Sequence, residues 1–390
     1  MDTLPFPPAD DILDIAPRYR ELQDEQPVTR VRSAAGDPAW LVTRHEDVAA
    51  LFGDDRLGRS HPDPANAPRA STSVLLGGPM GDHATEREQH RQMRRLLAPA
   101  FSARRMNALR PRVGDLVEKL LADLPAPPAD WHQVFSVPLP VLVICELLGV
   151  PYEDHPRFRR WAVELTSFDQ DKGAAARRDL VAYVRGLLPG KRSSPGEDVI
   201  CDLIAAQEKT GMSDGAVAGL AAMLLFAGHE TTVTRLDLGL LMLLDHPAQL
   251  ADLRANPDLV PGAVEEILRA SSLSTTGGLL RYAHSDITVG GVTIPAGDAI
   301  ILASGAANRD PRVFGEPGAF DITREANPHL TFGHGMHYCV GASLARVELQ
   351  EAFSRIPARL PGLRLAAARD ELRWCDDRLT GGLEALPVTW

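Results

Sequence analysis

One cysteine stands in a glycine-rich segment near the C-terminus, TFGHGMHYCVGASLAR, which covers residues 331–346. Gly333, Gly335 and Gly341 surround Cys339, and glycine lets the backbone adopt positive φ and approach a neighbouring group closely. The cysteine also precedes a segment with helical periodicity, where free N–H groups and the helix dipole stabilise a thiolate. We therefore expect Cys339 to bind something large and flat through its sulfur.

Three kinds of site could use this cysteine. Zinc needs three further ligands, and His337 is the one nearby candidate in the sequence. A nucleophilic cysteine needs a paired histidine and an orienting carboxylate, which the sequence leaves open. Haem iron needs one axial thiolate, close backbone approach and N–H donors to the sulfur, so it uses every feature of the segment. The other cysteines have the pattern of small buried hydrophobes: Cys145, Cys201 and Cys375.

A second chemical pattern, AGHETT, lies inside a long apolar segment of helical periodicity. Gly228 costs about 1 kcal/mol relative to alanine inside a helix, so its presence calls for a local reason. The Thr231 hydroxyl can bond back to the carbonyl of Ala227 and bend the helix, which would be a structural role. The same bend would widen one turn enough for a small ligand, and the Glu230 carboxylate beside the hydroxyl would provide protons.

Composition and charge limit the class of protein. The chain has 390 residues, 44% of them hydrophobic and 24% charged, and a formal net charge of −11. That charge argues against nucleic acid as a partner, because such binding depends on Lys and Arg neutralising phosphates. Dispersed cysteines, an acidic and proline-rich N-terminus and no run of about 18 apolar residues predict a cytoplasmic protein without a membrane span.

The elements that must position these residues are mostly helical. Apolar residues at intervals of three and four predict helices over residues 106–124, 137–148, 214–244, 261–270 and 341–355. Short alternating segments predict strands over residues 28–32, 39–42, 287–294, 299–303 and 386–390, with a hairpin turn at Gly290-Gly291. Clustered Pro and Gly predict loops at residues 60–80, 188–196 and 309–318. We expect one mainly α unit with a small β-rich portion over residues 1–390.

With these residues in view, FGHGMHYCVGASLAR resembles the haem-binding signature FxxGxxxCxG of the cytochrome P-450 superfamily. Its GxHxCxGxxLAR form is similar to soluble bacterial members, and AGHETT resembles the oxygen-activation motif of the same superfamily. The segment PGAVEEILR resembles the ExxR motif, with FDITR supplying its third member. The resemblance covers almost the whole chain. It implies a triangular prism of helices around a buried haem b.

The resemblance also implies roles for individual residues. Cys339 would be the proximal iron ligand, with Phe332 packed near its sulfur and Gly341 beside the haem. Ala227 and Gly228 would form the oxygen groove, and Glu230 with Thr231 would be the acid–alcohol pair that delivers protons. The structural motif would comprise Glu266, Arg269 and Arg324, although Glu266 and Arg269 read alone are an ordinary surface pair three residues apart.

Four residues match the family's contacts to the haem propionates, which need cations and donors in a buried site: His90, Arg94, Arg281 and His337. The family's usual Asp-Pro-Pro before the first of these is replaced by MGDHATERE, so His83 is a rival to His90. By the same resemblance the distal pocket would be lined by residues 71–76, 167–168, 274–277 and 379–380 together with Met223, Phe226 and Thr232.

The resemblance implies a monooxygenase that uses O2 and two electrons from a ferredoxin to hydroxylate or epoxidise a bulky secondary metabolite. The substrate would be a polyketide or macrolide, a terpenoid or a peptide antibiotic precursor. The ferredoxin and its NAD(P)H-dependent reductase would be separate proteins, and an exposed basic patch could dock the ferredoxin: Arg91, Arg95, Arg104 and Arg105. Two alternatives stay open, oxidative cyclisation or coupling without oxygen insertion, and an idle haem-bearing recruitment module.

Overall fold

The computed structural model describes residues 1–73, 75–271, 274–376 and 380–390. Helices make up most of it, and several begin at a side chain that accepts a backbone N–H, such as Ser102, Asp198 and Ser213. The helices are α1 Pro17–Glu25, α2 His45–Gly53, α3 Glu86–Leu97, α4 Ala103–Ala122, α5 Pro138–Leu148, α6 His155–Thr166, α7 Gln170–Ser193, α8 Val199–Thr210, α9 Asp214–Ala227, α10 Glu230–Asp245, α11 Pro247–Ala255, α12 Val260–Ala270, α13 Ser304–Ala307 and α14 Ala342–Arg359.

The strands are short and form a six-stranded sheet, a three-stranded sheet and a hairpin. They are β1 Asp2–Thr3, β2 Val28–Arg32, β3 Pro38–Val42, β4 Leu57–Gly58, β5 Ala129–Asp130, β6 Leu279–Ala283, β7 Ile287–Val289, β8 Val292–Ile294, β9 Ala299–Leu302, β10 Arg364–Leu365 and β11 Pro387–Thr389. The larger sheet has the order β1-β2-β3-β9-β6-β4, and the smaller has the order β10-β11-β5. The mainly α class with a small β-rich portion is confirmed.

The predicted hairpin is confirmed in register and in turn geometry. Strands β7 and β8 pair antiparallel, with Val289 opposite Val292. Gly290 and Gly291 between them have φ of 54° and 76°, the positive values at both central positions that a type I′ turn requires.

Helix α10 runs through the middle of the main hydrophobic core. Residues 232–243 are all buried, and the helix packs on α5, α9, α11, α12 and α14. Among the described residues, Asp214–Asp245 is the one segment long and apolar enough to cross a membrane, and 56% of its most apolar window is buried inside the fold. The apolar side chains of this segment therefore pack against neighbouring helices.

Two predictions about elements need correction. The predicted helix over residues 214–244 is divided into α9 and α10 at Gly228 and His229. The loop predicted at residues 188–196 is wrong up to Ser193, because α7 continues through Pro189. Leu188 is fully buried there and α7 packs along α6 and α9, so tertiary packing outweighs the hydrogen bond that the proline removes.

Candidate functional site

The glycine-rich segment forms a closed loop before α14. The Cys339 N–H donates to the carbonyl of Phe332 at 2.9 Å, and the Gly333 N–H donates to the carbonyl of Leu330 at 2.9 Å. Gly335 has φ of 67°, and a Cβ atom at that position would lie 2.7 Å from the carbonyl oxygen of Phe52. Glycine is therefore required at Gly335 for both backbone conformation and space.

Cys339 lies three residues before the start of α14. The side chain is exposed, yet surrounding protein atoms raise the pKa of its thiol by burial. Backbone N–H groups of Gly341 and Ala342 donate to the sulfur, and with the charges of Arg94 and Arg346 they oppose that rise. Donors of this kind stabilise a thiolate and temper its electron donation to a metal.

Phe332 lies directly beside this loop. Its ring is capped by the Arg346 guanidinium carbon, 4.6 Å from the ring centroid. Arg346 is held in turn by two hydrogen bonds to the Glu265 carboxylate, at 2.7 and 2.8 Å. Because the Phe332 carbonyl also accepts the Cys339 N–H, the aromatic ring is fixed relative to the sulfur by both its backbone and its side chain.

A cluster of cationic and imidazole groups converges on the same region. The rings of His90 and His337 lie 4.3 Å apart, and the Arg94 guanidinium donates to the carbonyl of Tyr338 at 2.9 Å. Burial, followed by the charges of Arg281, His90, Arg59 and Arg94, lowers the pKa of His337 to about 3. The structure thus brings together His90, Arg94, Arg281 and His337, four residues that lie on three separate parts of the chain.

Buried nitrogen atoms in this cluster have no partner. Among the described residues, none forms a hydrogen bond to Nδ1 of His90 or to either ring nitrogen of His337. The Glu86 carboxylate is 3.8 Å from Nε2 of His337, beyond hydrogen-bonding distance. Unpaired ring nitrogens beside the Arg94 and Arg281 guanidinium groups fit a ligand that carries carboxylates, and the two propionates of haem meet that requirement.

Sequence reasoning missed Arg59 and Glu86 in this cluster. The Arg59 guanidinium is buried, which lowers its pKa, and its charge acts on both Arg281 and His337. Glu86 positions the Arg59 backbone by accepting its N–H at 2.7 Å and the N–H of Ser60 at 3.0 Å. Arg59 lies in a loop without periodicity or motif, so no local signal in the sequence distinguishes it.

The structure distinguishes the two rival histidines. His83 packs against His284, with ring centroids 4.4 Å apart, whereas His90 packs against His337. His90, one turn before Arg94 on α3, is therefore the histidine that joins the cationic cluster.

The second pattern lies at the break between α9 and α10. The Thr231 hydroxyl donates to the Ala227 carbonyl at 3.2 Å, which confirms the predicted back-bond. Met223, Ala227 and Thr231 are spaced by four residues on an exposed face, and Thr231 lines a cavity of about 1280 Å³. A Cβ atom at Gly228 would lie 3.2 Å from Cδ1 of Ile144, so a larger residue would require the Ile144 side chain to move by a few tenths of an ångström.

Glu230 and Thr231 face different sides of the helix. Consecutive helical residues are separated by about 100°, and Glu230 is buried whereas Thr231 opens on the cavity. Oε1 of Glu230 lies 3.5 Å from Nδ1 of His229, and burial lowers the pKa of that histidine. The carboxylate is therefore inside the protein, behind the hydroxyl as seen from the cavity.

The ExxR residues form a buried network, so their interpretation as a solvated surface pair is wrong. Arg269 is 1% exposed and makes two hydrogen bonds to Glu266, at 2.8 and 2.6 Å. Nε of Arg324 donates to Glu266 at 3.2 Å. Arg269 also donates to the carbonyls of Asn308, Pro317 and Ala319. The network holds the long segment that leads into the cysteine loop.

The predicted lining of the distal pocket is only partly correct. The cavity wall includes Leu76, residues 274–277 and Thr380, whereas Val74 and Leu379 lie outside the described residues. Thr232 is wrong as a lining residue: it is buried, and its hydroxyl bonds back to the Gly228 carbonyl at 3.3 Å. Phe226 instead lines a small cleft beside His229.

Two further features concern metal ligands and the basic patch. No group of three His, Cys, Asp or Glu side chains within the described ranges could hold a metal ion. In the basic patch, Arg91, Arg95 and Arg104 are exposed. Arg105 does not belong with them, because its guanidinium donates to the Glu197 carbonyl and pairs with Asp202.

Comparison with known proteins agrees with the sequence motifs and the fold. The sequence model of the family Cytochrome P450 matches residues 189–357. The chain is 44% identical over 402 residues to pentalenolactone synthase of Streptomyces exfoliatus, with both proteins covered completely. It is 40% identical over 387 residues to mycinamicin IV hydroxylase/epoxidase of Micromonospora griseorubida, covering 97% of this chain and 96% of that one.

Solved structures give the same result over the whole fold. A putative thioether synthase from griseoviridin tailoring, SgvP, superposes with a TM-score of 0.91 at 38% identity, covering 100% of this chain and 99% of the other. A mutant of the mixed-function P-450 MycG in complex with mycinamicin IV superposes with a TM-score of 0.90 at 40% identity, covering both chains completely. Since relatives of this identity match over the full length and solved structures match over the whole fold, the chain belongs to the cytochrome P-450 family of haem-dependent monooxygenases.

Proposed function

We propose that this enzyme binds haem b through Cys339 and uses O2 with two electrons from a ferredoxin to hydroxylate or epoxidise a bulky secondary metabolite. The observation that carries the proposal is the proximity of two features. One is an accessible sulfur that accepts two N–H groups, and the other is a cationic cluster in which ring nitrogens of His90 and His337 have no partner within the described ranges. Haem is held through an axial ligand on its iron and through its two propionates. A sulfur and a cationic cluster in one region match these two kinds of contact.

The haem, when bound, would supply oxygen activation, and the residues of this chain would hold it and handle protons. Cys339 would ligate the iron, with Phe332 and Gly341 supporting the sulfur. His90, Arg94, Arg281 and His337, together with Arg59, would neutralise the propionates. Ala227 and Gly228 would leave room for dioxygen at the break in the helix.

Proton handling would depend on the acid–alcohol pair. The Thr231 hydroxyl lies on the cavity wall. By rotating away from the Ala227 carbonyl, to which it donates at rest, it can donate a proton toward the cavity while its oxygen accepts another. The Glu230 carboxylate, buried on the inner side, would replenish that proton through the protein interior. This arrangement favours an active oxygenase over an idle haem-bearing module.

The substrate would be a bulky, mainly aliphatic molecule with some oxygen functions. The cavity wall combines aliphatic side chains with the hydroxyls of Ser274, Thr276 and Thr380. Relatives named for a pentalenolactone and for mycinamicin IV support a terpenoid or polyketide, and nocardicin C N-oxygenase of Nocardia uniformis supports a peptide antibiotic precursor as a further possibility.

Electrons would come from a ferredoxin and an NAD(P)H-dependent reductase encoded as separate proteins. The exposed arginines Arg91, Arg95 and Arg104 would attract an acidic ferredoxin. We propose further that residues 1–390 act as one catalytic domain in the cytoplasm.

Oxidative cyclisation or coupling without oxygen insertion is the second candidate. It is favoured by the similarity to SgvP, which is described as a putative thioether synthase. In that case the same residues would hold the haem, and dioxygen would accept electrons from the substrate and be reduced without an oxygen atom entering the product.

Isotope labelling tests the proposal and separates the two reactions. Purified holoenzyme would be combined with a ferredoxin, its reductase and NADH under labelled dioxygen, with macrolide, terpenoid and peptide substrates offered in turn. Oxygen label in the product is the result we expect. Product without label would establish cyclisation or coupling instead, and a protein that consumed no NADH with any substrate would contradict both.

A further inference from the structure

A buried arginine lines the cavity, and two of its three guanidinium nitrogens have no partner in the described part of the chain. Arg235 on α10 is 5% exposed and belongs to the cavity wall. Among the described residues, no group accepts a hydrogen bond from its Nε or Nη1 atoms. An unpaired buried charge costs several kcal/mol relative to a solvated one, so this guanidinium is expected to have an acceptor in the working enzyme.

Arg235 lies on the same face of α10 as the proposed proton donor. Thr231, Arg235, Leu238 and Met242 recur at helical intervals, and all four line the cavity. Arg235 is therefore about one turn beyond Thr231, about 6 Å further along the helix axis. A ligand group held by Arg235 would lie within the same cavity as the reacting end of the substrate.

A second buried donor without a partner lines the same wall. The Thr380 hydroxyl is buried, and none of the described groups forms a hydrogen bond with it. The turn that follows Thr380 packs on α10, since a Cβ atom at Gly382 would lie 3.1 Å from Oγ1 of Thr234, the neighbour of Arg235. The turn and the helix thus each bring one unpartnered donor to the cavity.

Arg235 is separate from the cluster assigned to the haem propionates. In that cluster each charged group shifts the pKa of its neighbours. The charge of Arg59 lowers the pKa of Arg281, and the charge of Glu86 raises it. For Arg235 burial alone lowers the pKa, to about 9, with no contribution from a charged group in the described part of the chain. A pKa of about 9 leaves the side chain protonated at neutral pH, so it presents a positive charge to the cavity.

We propose that Arg235, with the hydroxyl of Thr380, binds a carboxylate carried by the substrate, which makes the substrate a mainly aliphatic acid. The inference rests on the proposed function, because it names the class of substrate that would bind in the same cavity. One guanidinium and one hydroxyl match a single carboxylate, which accepts several hydrogen bonds at once.

The test compares two matched pairs of probes that share a carbon skeleton and differ in having a carboxylate or a neutral hydroxyl: adamantaneacetic acid with adamantaneethanol, and dodecanoic acid with dodecanol. Binding to the holoenzyme is measured at neutral pH by calorimetry, which does not depend on turnover. We expect one acid of these pairs to bind at least about tenfold more tightly than its alcohol, as a charge-assisted hydrogen bond in a buried site would produce. Arg235→Met should remove that preference.

A control separates this binding role from general effects of lost charge. Arg373 also lines the cavity, but its guanidinium already donates to the carbonyls of Asp370 and Leu372. Arg373→Met should therefore keep the preference for acids. A wild-type protein without preference, or an Arg235→Met variant that retains it, would overturn the proposal.

Thermal unfolding supplies a second readout. Because Arg235 has no protein partner to lose, Arg235→Met without ligand should melt at the wild-type temperature or above it. The preferred acid should raise the melting temperature of the wild type and leave that of Arg235→Met unchanged. A large loss of stability in Arg235→Met would indicate a structural role and contradict the proposal. Failure of the oxygen-labelling experiment would not alter either readout, so the two hypotheses are tested separately.

Discussion

At the scale of single residues, the neighbouring threonines of AGHETT show how position decides role. Both hydroxyls bond back to a carbonyl four residues earlier, Thr231 to Ala227 and Thr232 to Gly228. Thr231 opens on the cavity, whereas Thr232 is buried. The two residues are chemically identical, and the helix rotation between them gives only Thr231 access to a ligand.

Thr231→Ala should uncouple electron consumption from product formation. The substitution removes the cavity-facing hydroxyl that we assign to proton delivery, so reduced oxygen would be released as peroxide. The measurement is the ratio of product and peroxide to NADH consumed. Thr232→Ala is the matched control and should keep wild-type coupling; equal coupling in both variants would remove Thr231 from the proton path.

Cys339→Ser should abolish the absorbance band that reduced, carbon-monoxide-bound haem shows with a thiolate ligand. A serine hydroxyl is a much weaker ligand, because it stays protonated where the sulfur is ionised. The control is Cys201→Ser, whose buried sulfur interacts with Asp198 and the Gly196 N–H, away from the cysteine loop. A thiolate band retained in Cys339→Ser would assign the iron ligand elsewhere.

At the scale of elements, the ExxR network shows why an ion pair three residues apart on a helix cannot be evaluated from spacing alone. Glu266 and Arg269 have the same spacing as many surface pairs, but both are completely enclosed. The segment that includes Asn308 and Ala319 closes over them and supplies carbonyl acceptors. The pair thereby links α12 to the chain leading into the cysteine loop.

Glu266→Gln should lower the free energy of unfolding by about 3–5 kcal/mol, because the guanidinium of Arg269 would be left buried without its counter-charge. Denaturant titration measures the change. Glu21→Gln breaks an exposed pair of the same spacing, between Arg18 and Glu21, and should leave stability nearly unchanged. Similar effects of the two substitutions would show that enclosure does not govern the contribution of the pair.

Gly335→Ala should destabilise the cysteine loop and reduce haem retention. Left-handed backbone costs an L-residue about 1–2 kcal/mol, and here the added Cβ would also meet the Phe52 carbonyl oxygen at 2.7 Å. Gly36→Ala isolates the backbone cost, since Gly36 has φ of 89° with nothing within 4 Å of its Cβ position. Thermal unfolding and haem content are compared, and a smaller effect at Gly335 than at Gly36 would contradict the steric argument.

At the scale of the whole molecule, charge is distributed unevenly. The chain is acidic as a whole, with a net charge of −11, yet exposed arginines gather on α3 and at the start of α4. Exposed charges of this kind change association rates and their salt dependence more than they change the chemistry of the bound complex. An acidic redox partner would therefore be steered to this face.

Arg91→Glu combined with Arg95→Glu should raise the KM for ferredoxin on the order of tenfold at low salt, with a smaller effect at high salt. The kcat at saturating ferredoxin should change little. Steady-state kinetics with an acidic ferredoxin measures both values. Arg177→Glu with Arg178→Glu reverses two exposed charges on α7 and should leave the KM for ferredoxin near the wild-type value; an equal rise in both variants would assign the effect to net charge alone.

The sequence alone determined the helical class, the hairpin at Gly290-Gly291 and the expectation of a sulfur ligand at Cys339. These features depend on periodicity, turn chemistry and residues adjacent in the chain, so local physics is sufficient to predict them. The back-bond from Thr231 to Ala227 belongs to the same group, because four residues of helix place donor and acceptor together.

Only the tertiary structure decided which charged groups are buried and which of them meet. Arg59 joins the cationic cluster from a loop without a motif, and Glu266 becomes buried because a distant segment covers it. Arg235 has an ordinary position in an apolar helix, and its lack of a partner is a property of the cavity wall. Burial and electrostatic interaction depend on groups far apart in the chain, so no local pattern contains them.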